Sequence, residues 1–317
     1  MLARDEERGP RFVSPGGADV QSRSLLILGQ IARNAAMAVP GVAAWRSRCG
    51  RTADVGAEVT RDDLETYAYG PFERVLNAVG WETLTGATVV EIGPGDHIPM
   101  AMLLLAAGAG RYICLDRFAG DLGGGAARTF YQALAHHLPQ RWPELAAGLH
   151  RQGLAPDRFP DSAGDRVCVW RRAVEESPET DVADLVLSNN VVEHVSDLDA
   201  FVRHSFKMLR SGGRAVHRVD FTAHDVWAAR GDPFEWLTVS DGIWRLTGSH
   251  RGSPNRYRYH EVREAVERGG FLIEVDLVEA YPLDLIRSAR PRLARRFRGM
   301  PVESLAVRTA LFVCEKK

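Results

Sequence analysis

Two short stretches of this 317-residue chain place acids where they can hold a ligand. Thr88-Val89-Val90-Glu91-Ile92-Gly93-Pro94-Gly95 reads as a buried strand ending in a carboxylate and a glycine turn, so a ligand can approach the backbone closely. Arg111-Tyr112-Ile113-Cys114-Leu115-Asp116 reads as a second strand, ending in an acid placed to accept hydrogen bonds from two ribose hydroxyls. A helix pattern from Ile98 to Ala107 joins them and aims its N-terminus at the ligand. The pair therefore reads as a nucleoside-binding βαβ unit, with Glu91 as a mere helix cap and Asp116 as a plain loop acid as the alternatives. Later in the chain, Val216-His217-Arg218-Val219-Asp220-Phe221-Thr222-Ala223-His224-Asp225 closes another strand, and His194 follows the strand before it. Histidines can take up a proton near neutral pH. His217, Asp220 and His224 also form a two-histidine, one-carboxylate set of a metal-binding type. Strand alternation puts His217 and Asp220 on opposite faces, so no metal site is expected.

The elements that must position these groups alternate. Strands are expected at 87–92, 111–115, 166–170, 183–188, 214–221, 271–279 and 307–315, with helices at 98–108, near 126–150, at 197–210 and at 258–269. That alternation implies an α/β, Rossmann-like fold, with a seven-stranded, mostly parallel sheet and helices on both faces. The last two strands lack a clear core helix between them, so the terminal strand is expected to insert antiparallel. Two helical patterns precede the sheet, Ser22 to Ala38 and Asp62 to Val79. Thr60 is placed to cap the second, and Pro71 predicts a break or kink within it. Residues 1–20 are polar, rich in Gly and Pro, and expected to be mobile. The chain thus divides into an N-terminal helical extension or lid, 1–85, and a ligand-binding domain, 86–317.

Two connections are longer than the sheet requires, at about 118–165 and 222–260. The first carries Gly123-Gly124-Gly125, Phe130, Tyr131, His136 and His137; the second carries Trp227, Phe234, Trp236, Trp244 and Tyr257. Their aromatic content argues against disorder, and both follow strand C-terminal ends, where open α/β sheets bind ligands. They are read as cap insertions that wall a substrate pocket, with Trp227 and Trp244 as substrate-binding residues.

Composition excludes several classes. With 45% hydrophobic and 26% charged residues and a net charge of -1, the chain has no general electrostatic reason to bind nucleic acid or an anionic membrane. Basic residues do cluster between Arg287 and Arg298, as a solvated helical face or as a patch for an anionic substrate or partner. Cys49, Cys114, Cys168 and Cys314 are scattered without C-x-x-C spacing, which speaks against a disulfide framework or structural zinc. The first eight residues are too charged for a signal peptide. The apolar run Leu25 to Val39 is interrupted by Gln30, Arg33 and Asn34 and is too short to span a bilayer. A cytoplasmic location is expected.

Four elements, taken in order, resemble class I S-adenosylmethionine-dependent methyltransferases. They are Glu91-Ile92-Gly93-Pro94-Gly95, then Asp116, then Asp184-Leu185-Val186-Leu187-Ser188-Asn189-Asn190-Val191-Val192-Glu193-His194-Val195, then Leu209-Arg210-Ser211-Gly212-Gly213-Arg214. The chain is similar to the small-molecule branch, in which a strand ends in S-N-x-x-x-E-H and a helix ends in L-x-x-G-G. The resemblance covers roughly residues 86 to 221, and the last two strands match the family's closing pair. It implies S-adenosyl-L-methionine as cofactor. Glu91, Gly93 and Gly95 would hold its methionine part, and Asp116 its ribose, with Arg117 beside it. Ala173 and Val174 would meet the adenine, and Asn189 and Asn190 would face the methionine moiety and the methyl group. The loop departs from the family pattern in lacking a third glycine, since Asp96-His97 follows Gly95. His97 itself reads as a loop residue or a ligand contact.

Methyl transfer is an in-line displacement for which the protein aligns the acceptor, excludes water and takes a proton. His224, beyond the strand end, is the first candidate base. His217 is a base or a satisfied core histidine, and His194 is catalytic, pocket-lining or structural. Ser253-Pro254-Asn255-Arg256-Tyr257-Arg258-Tyr259 resembles a segment of a methyltransferase subset, which makes Asn255 and Arg256 substrate-binding candidates. Arg256 and Arg258 would bind an acidic acceptor or pair with acids such as Glu261. The expected reaction is transfer to O, N or C of a small-molecule acceptor, aromatic or of the secondary-metabolite kind. A nucleic-acid substrate is disfavoured, because Asn189-Asn190-Val191-Val192 is not the N-P-P-aromatic type used on flipped bases. An NAD-dependent oxidoreductase would want G-x-G-x-x-G. A non-catalytic cofactor-binding protein is the third class. No membrane partner is expected, and the N-terminal helices would serve as a lid or as the contact of a homodimer.

Overall fold

Runs of aliphatic and β-branched residues form strands where the hydrophobic pattern put them. The computed structural model describes residues 22–39, 58–248 and 254–317; the stretch 1–20 and Cys49 lie outside the described residues. One sheet contains β1 (Thr88–Ile92), β2 (Arg111–Leu115), β3 (Val167–Trp170), β4 (Ala183–Asn189), β5 (Leu209–Asp220), β6 (Leu272–Ala280) and β7 (Val307–Glu315). Its order is β3-β2-β1-β4-β5-β7-β6. β1 to β5 run parallel, and β7 inserts antiparallel between β5 and β6, as expected for the terminal strand. The order reverses between β1 and β4, which opens a crevice at the carboxyl ends of those strands.

The helices follow in chain order. They are α1 (Arg23–Met37), α2 (Arg61–Leu64), α3 (Gly70–Leu84), α4 (Pro99–Ala106), α5 (Gly125–Arg141), α6 (Pro143–Arg151) and α7 (Leu198–Met208). The second half adds α8 (Asp225–Ala228), α9 (Asp241–Gly248), α10 (Tyr259–Arg268), α11 (Leu283–Ala289), α12 (Arg295–Arg298) and α13 (Val302–Ala306). Period-two alternation divides the strand side chains between two layers. Val89, Tyr112, Leu187 and Val216 pack under α3 to α6, and Val90, Ile113, Val186 and Ala215 pack under α7 and α10. All eight residues of α4 are buried, as an all-apolar helix demands.

The break expected at Pro71 is made differently. Thr60 and Asp63 form a reciprocal capping box at α2. A π-helical turn, Glu65–Tyr69, then lets α3 begin anew with Pro71 in its first turn, where the missing N–H is tolerated.

The two long connections differ in kind. The first folds into α5 and α6, and its Phe130 and Tyr131 are buried in the main core. The Tyr131 hydroxyl donates to the Leu122 carbonyl and accepts from the Ile98 N–H, both at 3.0 Å. These aromatics cover the sheet and do not wall a pocket, which corrects that expectation. The second connection packs Trp227, Phe234, Trp236 and Trp244 against Ile286, Leu293, Phe297 and Leu305 of the β6–β7 connection, with Leu26 of α1. These residues make a separate apolar cap. Within the basic cluster, Arg287 pairs with Asp284, Arg292 with Asp232 and Arg296 with Glu261, a salt-bridged helical surface. Cys114, Cys168 and Cys314 are free thiols. Among the described residues no helix is long and apolar enough to cross a membrane.

Candidate active site

Gly93 and Gly95 adopt φ values of +68° and +82°, a region that side chains strain against, so the turn forms without a third glycine. A Cβ on Gly93 would lie 2.8 Å from a Val191 methyl, so the glycine also lets the loop after β1 meet the loop after β4. Asp116 fastens this turn. One of its oxygens accepts from the Gly95 N–H at 3.0 Å and the other from the Phe118 N–H at 2.7 Å. Each oxygen keeps a second lone pair, which fits two ribose hydroxyls. Arg117 stacks its guanidinium on the half-exposed Phe118 ring at 4.9 Å, at the rim of the same loop. Ala173 and Val174 follow β3, and Val174 is buried as it opens a short 3-10 turn. Arg171 was not foreseen: it donates to the Ala119 and Gly120 carbonyls and so ties the loop after β3 to the loop after β2. No motif marks it in the sequence. His97 is buried with its ring against Tyr67 and Phe130, as a core aromatic.

Glu91 lines a cleft with Arg74, Met100, Ser188, Asn189 and Arg218. Burial, with the Asp116 charge adding to it, pushes its carboxyl up to about 8, and the Tyr112 hydroxyl donates to it. A buried acid without a cationic partner favours a ligand that brings positive charge. Asn189 accepts from Arg74 at 3.0 Å, and Asn190 accepts from Arg218. Asn190 has φ +57°, a conformation asparagine tolerates better than most residues. Arg74 was also missed: it belongs to the N-terminal helix α3, and no local pattern links it to β4.

The histidines separate. His217 points into the layer under α7, against Phe201, with Nδ1 2.8 Å from the Ser188 hydroxyl. Burial drives it down to about 4. His217 is therefore a satisfied core histidine, which corrects its place among the candidate bases. His224 Nε2 lies 3.6 Å from an Asp220 oxygen, and its ring stands 5.2 Å from that of His194. Burial would raise Asp220, but hydrogen bonds from His224 and Thr222 outweigh it and bring the acid down to about 2. Glu193, beside them, is buried with no hydrogen-bond partner on either oxygen among the described residues. Burial raises it to about 8. Among the described residues no group of three His, Cys, Asp or Glu side chains is arranged to hold a metal.

Trp227 and Trp244 come together with rings 5.8 Å apart, and they line one pocket with His224, Gln30, Thr247 and Pro254. Asn255 and Arg256 leave the substrate-binding set. The Asn255 amide donates to the Val192 and Val195 carbonyls at 2.7 and 3.0 Å, and its N–H donates to the Glu193 carbonyl, so it clamps the turn that carries His194. Arg256 is buried, donating to the Trp236 and Val239 carbonyls and to Asp241. Arg258 likewise binds the Phe221, Leu305 and Val307 carbonyls. Arg256 is paired with an acid, and the Arg258 guanidinium is held, among the described residues, by carbonyls alone.

A seven-stranded sheet with an antiparallel β7, a left-handed glycine turn and an acid at the end of β2 define the class of nucleoside-binding group-transfer domains of Rossmann type. Residues 64–274 match the family described as Methyltransferase domain, and the chain belongs to that family. It is an S-adenosylmethionine-dependent methyltransferase, which sets aside the oxidoreductase and non-catalytic readings. Among solved structures it is similar to an S-adenosylmethionine-dependent methyltransferase from Mesorhizobium loti, at 14% identity over 79% of this chain and 98% of that one, TM-score 0.44. It is also similar to geranyl diphosphate C-methyltransferase from Streptomyces coelicolor A3(2), at 13% identity over 78% and 79% of the two chains, TM-score 0.45. No curated protein matches the chain. The residues present fit the cofactor: Asp116 has free lone pairs for the ribose, and Glu91, raised by burial, would be favoured to ionise beside its cationic end.

Proposed function

We propose that the chain methylates O, N or C of a small molecule seated in the pocket that Trp227 and Trp244 line beside His224, with His224 as the proton acceptor. One observation carries this: His224 lines the same pocket as the two tryptophans while its ring faces the ionised Asp220. The bound cofactor supplies an activated methyl group on a sulfonium. The remaining work falls to the chain. The tryptophan walls orient an apolar or ring-containing acceptor and exclude water. The His224 imidazole would take up the proton that the acceptor atom gives up as it gains the methyl group and the sulfonium becomes a neutral thioether, and Asp220 would stabilise the resulting imidazolium. His194 borders this pair, and Asn255 holds its turn in place. Gln30 of α1 lines the acceptor pocket, and Asn34 donates to the Leu246 carbonyl at 3.0 Å, which supports α1 as a lid over the acceptor. Asp116, Glu91 and the Gly93–Gly95 turn hold the cofactor, with Ala173 and Val174 on the adenine side.

Incubation with methyl-labelled S-adenosylmethionine and a fractionated metabolite extract, read by mass spectrometry, tests the proposal. The expected result is a labelled small molecule whose formation drops sharply in His224→Gln. Label found only in nucleic acid or protein would overturn it.

A further inference from the structure

The helix α1 reverses the usual arrangement of a surface helix. Its buried stripe is Leu26, Gln30 and Asn34, spaced four apart, and two of these three are polar. Gln30 lines the acceptor pocket, and Asn34 donates to the Leu246 carbonyl of α9. The opposite stripe is Leu25, Leu28, Ala32 and Ala35, at spacings of three and four, and every member is exposed. Leu25 and Leu28 are each 61% exposed. α9 repeats the pattern: Trp244 and Thr247 line the pocket, while Ile243 and Leu246 are exposed. An amphipathic helix that serves only the fold buries its apolar stripe, so these outward stripes are left for a partner.

The charges on the two helices select that partner. Arg23, Arg33 and Arg245 are exposed, and α1 contains no acid. Asp241, the acid of α9, is paired with the buried Arg256. A second copy seated two-fold on α1 would bring arginines against arginines, because such a contact presents one surface twice. An anionic lipid surface satisfies both features. Leucines enter the boundary of headgroups and acyl chains, and arginines reach the phosphates with their stems along the apolar side. The net charge of -1 gives the whole chain no such attraction, so the effect is local to these helices.

We propose that α1, with α9 beside it, is an interfacial docking surface for an anionic phospholipid membrane. The helix lies on the bilayer and does not cross it. Because α1 and α9 also line the acceptor pocket, docking sets that pocket beside the lipid. The surface goes beyond the methyl-transfer reading, and the binding it describes needs no turnover.

Flotation of the full chain with lipid vesicles tests the proposal. The vesicles are phosphatidylglycerol mixed with phosphatidylcholine, or phosphatidylcholine alone. The wild type should float with the anionic vesicles and bind phosphatidylcholine alone about tenfold more weakly or worse. Leu25→Gln with Leu28→Gln removes the apolar contact and keeps every charge, while Arg23→Gln with Arg33→Gln does the reverse. Each pair should weaken binding to the anionic vesicles about tenfold. These side chains are exposed, so thermal melts should match the wild type. Should the leucine pair fail to fold, Leu28→Glu alone, which also repels the lipid charge, serves with the same criterion. A wild type that stays unbound with anionic vesicles overturns the proposal, as does unchanged binding in the leucine variant. Sedimentation equilibrium without lipid tests the competing occupant: a dimer that the leucine variant splits would assign the face to a second copy and overturn the membrane reading. A labelled product without vesicle binding would sink the surface and leave methyl transfer standing. Vesicle binding without a labelled product would do the opposite.

Discussion

The Ser188 hydroxyl and Nδ1 of His217 lie 2.8 Å apart on the α7 side of the sheet, so the strand that ends in two histidines keeps one for its core. His224, past the strand end, meets Asp220 instead. This division predicts opposite phenotypes. His217→Phe leaves the Ser188 hydroxyl unpaired, should cost about 1–3 kcal/mol of stability, and should leave the pH–rate profile in place. His224→Gln should lower kcat by about 10²–10⁴ with S-adenosylhomocysteine affinity unchanged. Thermal melts beside steady-state kinetics check both, and turnover that survives in His224→Gln but not in a folded His217 variant would reverse the assignment.

Glu193 should make the protein less stable as pH rises. Its folded carboxyl is raised from 4.5 to about 8 by burial, so the stability it contributes is complete below 4.5 and is lost as pH climbs to 8. Glu193→Gln cannot ionise. Denaturant titrations should show it gaining on the wild type by on the order of a few kcal/mol between pH 5 and pH 8. His217 acts in the opposite sense: its folded pKa is lowered to about 4, so stability falls as pH drops from 6.5 towards 4. Parallel curves for wild type and Glu193→Gln above pH 5 would rule out a buried, protonated Glu193.

At Gly93 two constraints coincide, φ of +68° and a Val191 methyl 2.8 Å from any Cβ. Gly93→Ala should destabilise the fold by about 1–3 kcal/mol and weaken S-adenosylhomocysteine by displacing the loop after β4. Asp116→Ala removes the anchor of Gly95 and the acceptor proposed for the ribose hydroxyls, and should weaken the same ligand by about 10-fold or more. Calorimetric titration measures both, and wild-type affinity in Asp116→Ala would remove it from the site.

Asn255→Ala frees the Val192 and Val195 carbonyls from their clamp. Amide exchange should quicken across 190–195, with a stability loss of about 1–3 kcal/mol, and kcat should fall while the cofactor Kd holds. A direct substrate contact would instead raise KM and leave exchange untouched.

The strands were legible because each is a short apolar run with its own turn signals, and the acids Glu91 and Asp116 because each lies within one residue of a strand's end. β5 begins earlier than its apolar run, at Leu209, which pairs with Ala183; Arg210 to Gly213 bulge out of register before pairing resumes at Arg214, and no apolar pattern reveals them. The aromatic first connection was harder to place, since Phe130 and Tyr131 suit a core layer as well as a pocket wall. Asn255 and Arg256 carried polar groups of the right kind for a ligand, yet their partners are carbonyls within the fold.

By itself the sequence determined the sheet, the glycine turn after β1, the acid after β2 and the terminal strand's antiparallel insertion, since backbone preference and hydrophobic period are local properties. Only the tertiary structure decided which histidine faces an acid, which arginines turn inward, and that Arg74 reaches Asn189 across 115 residues. A side chain's chemistry depends on what stands opposite it in space, and that neighbour is supplied by a distant part of the chain.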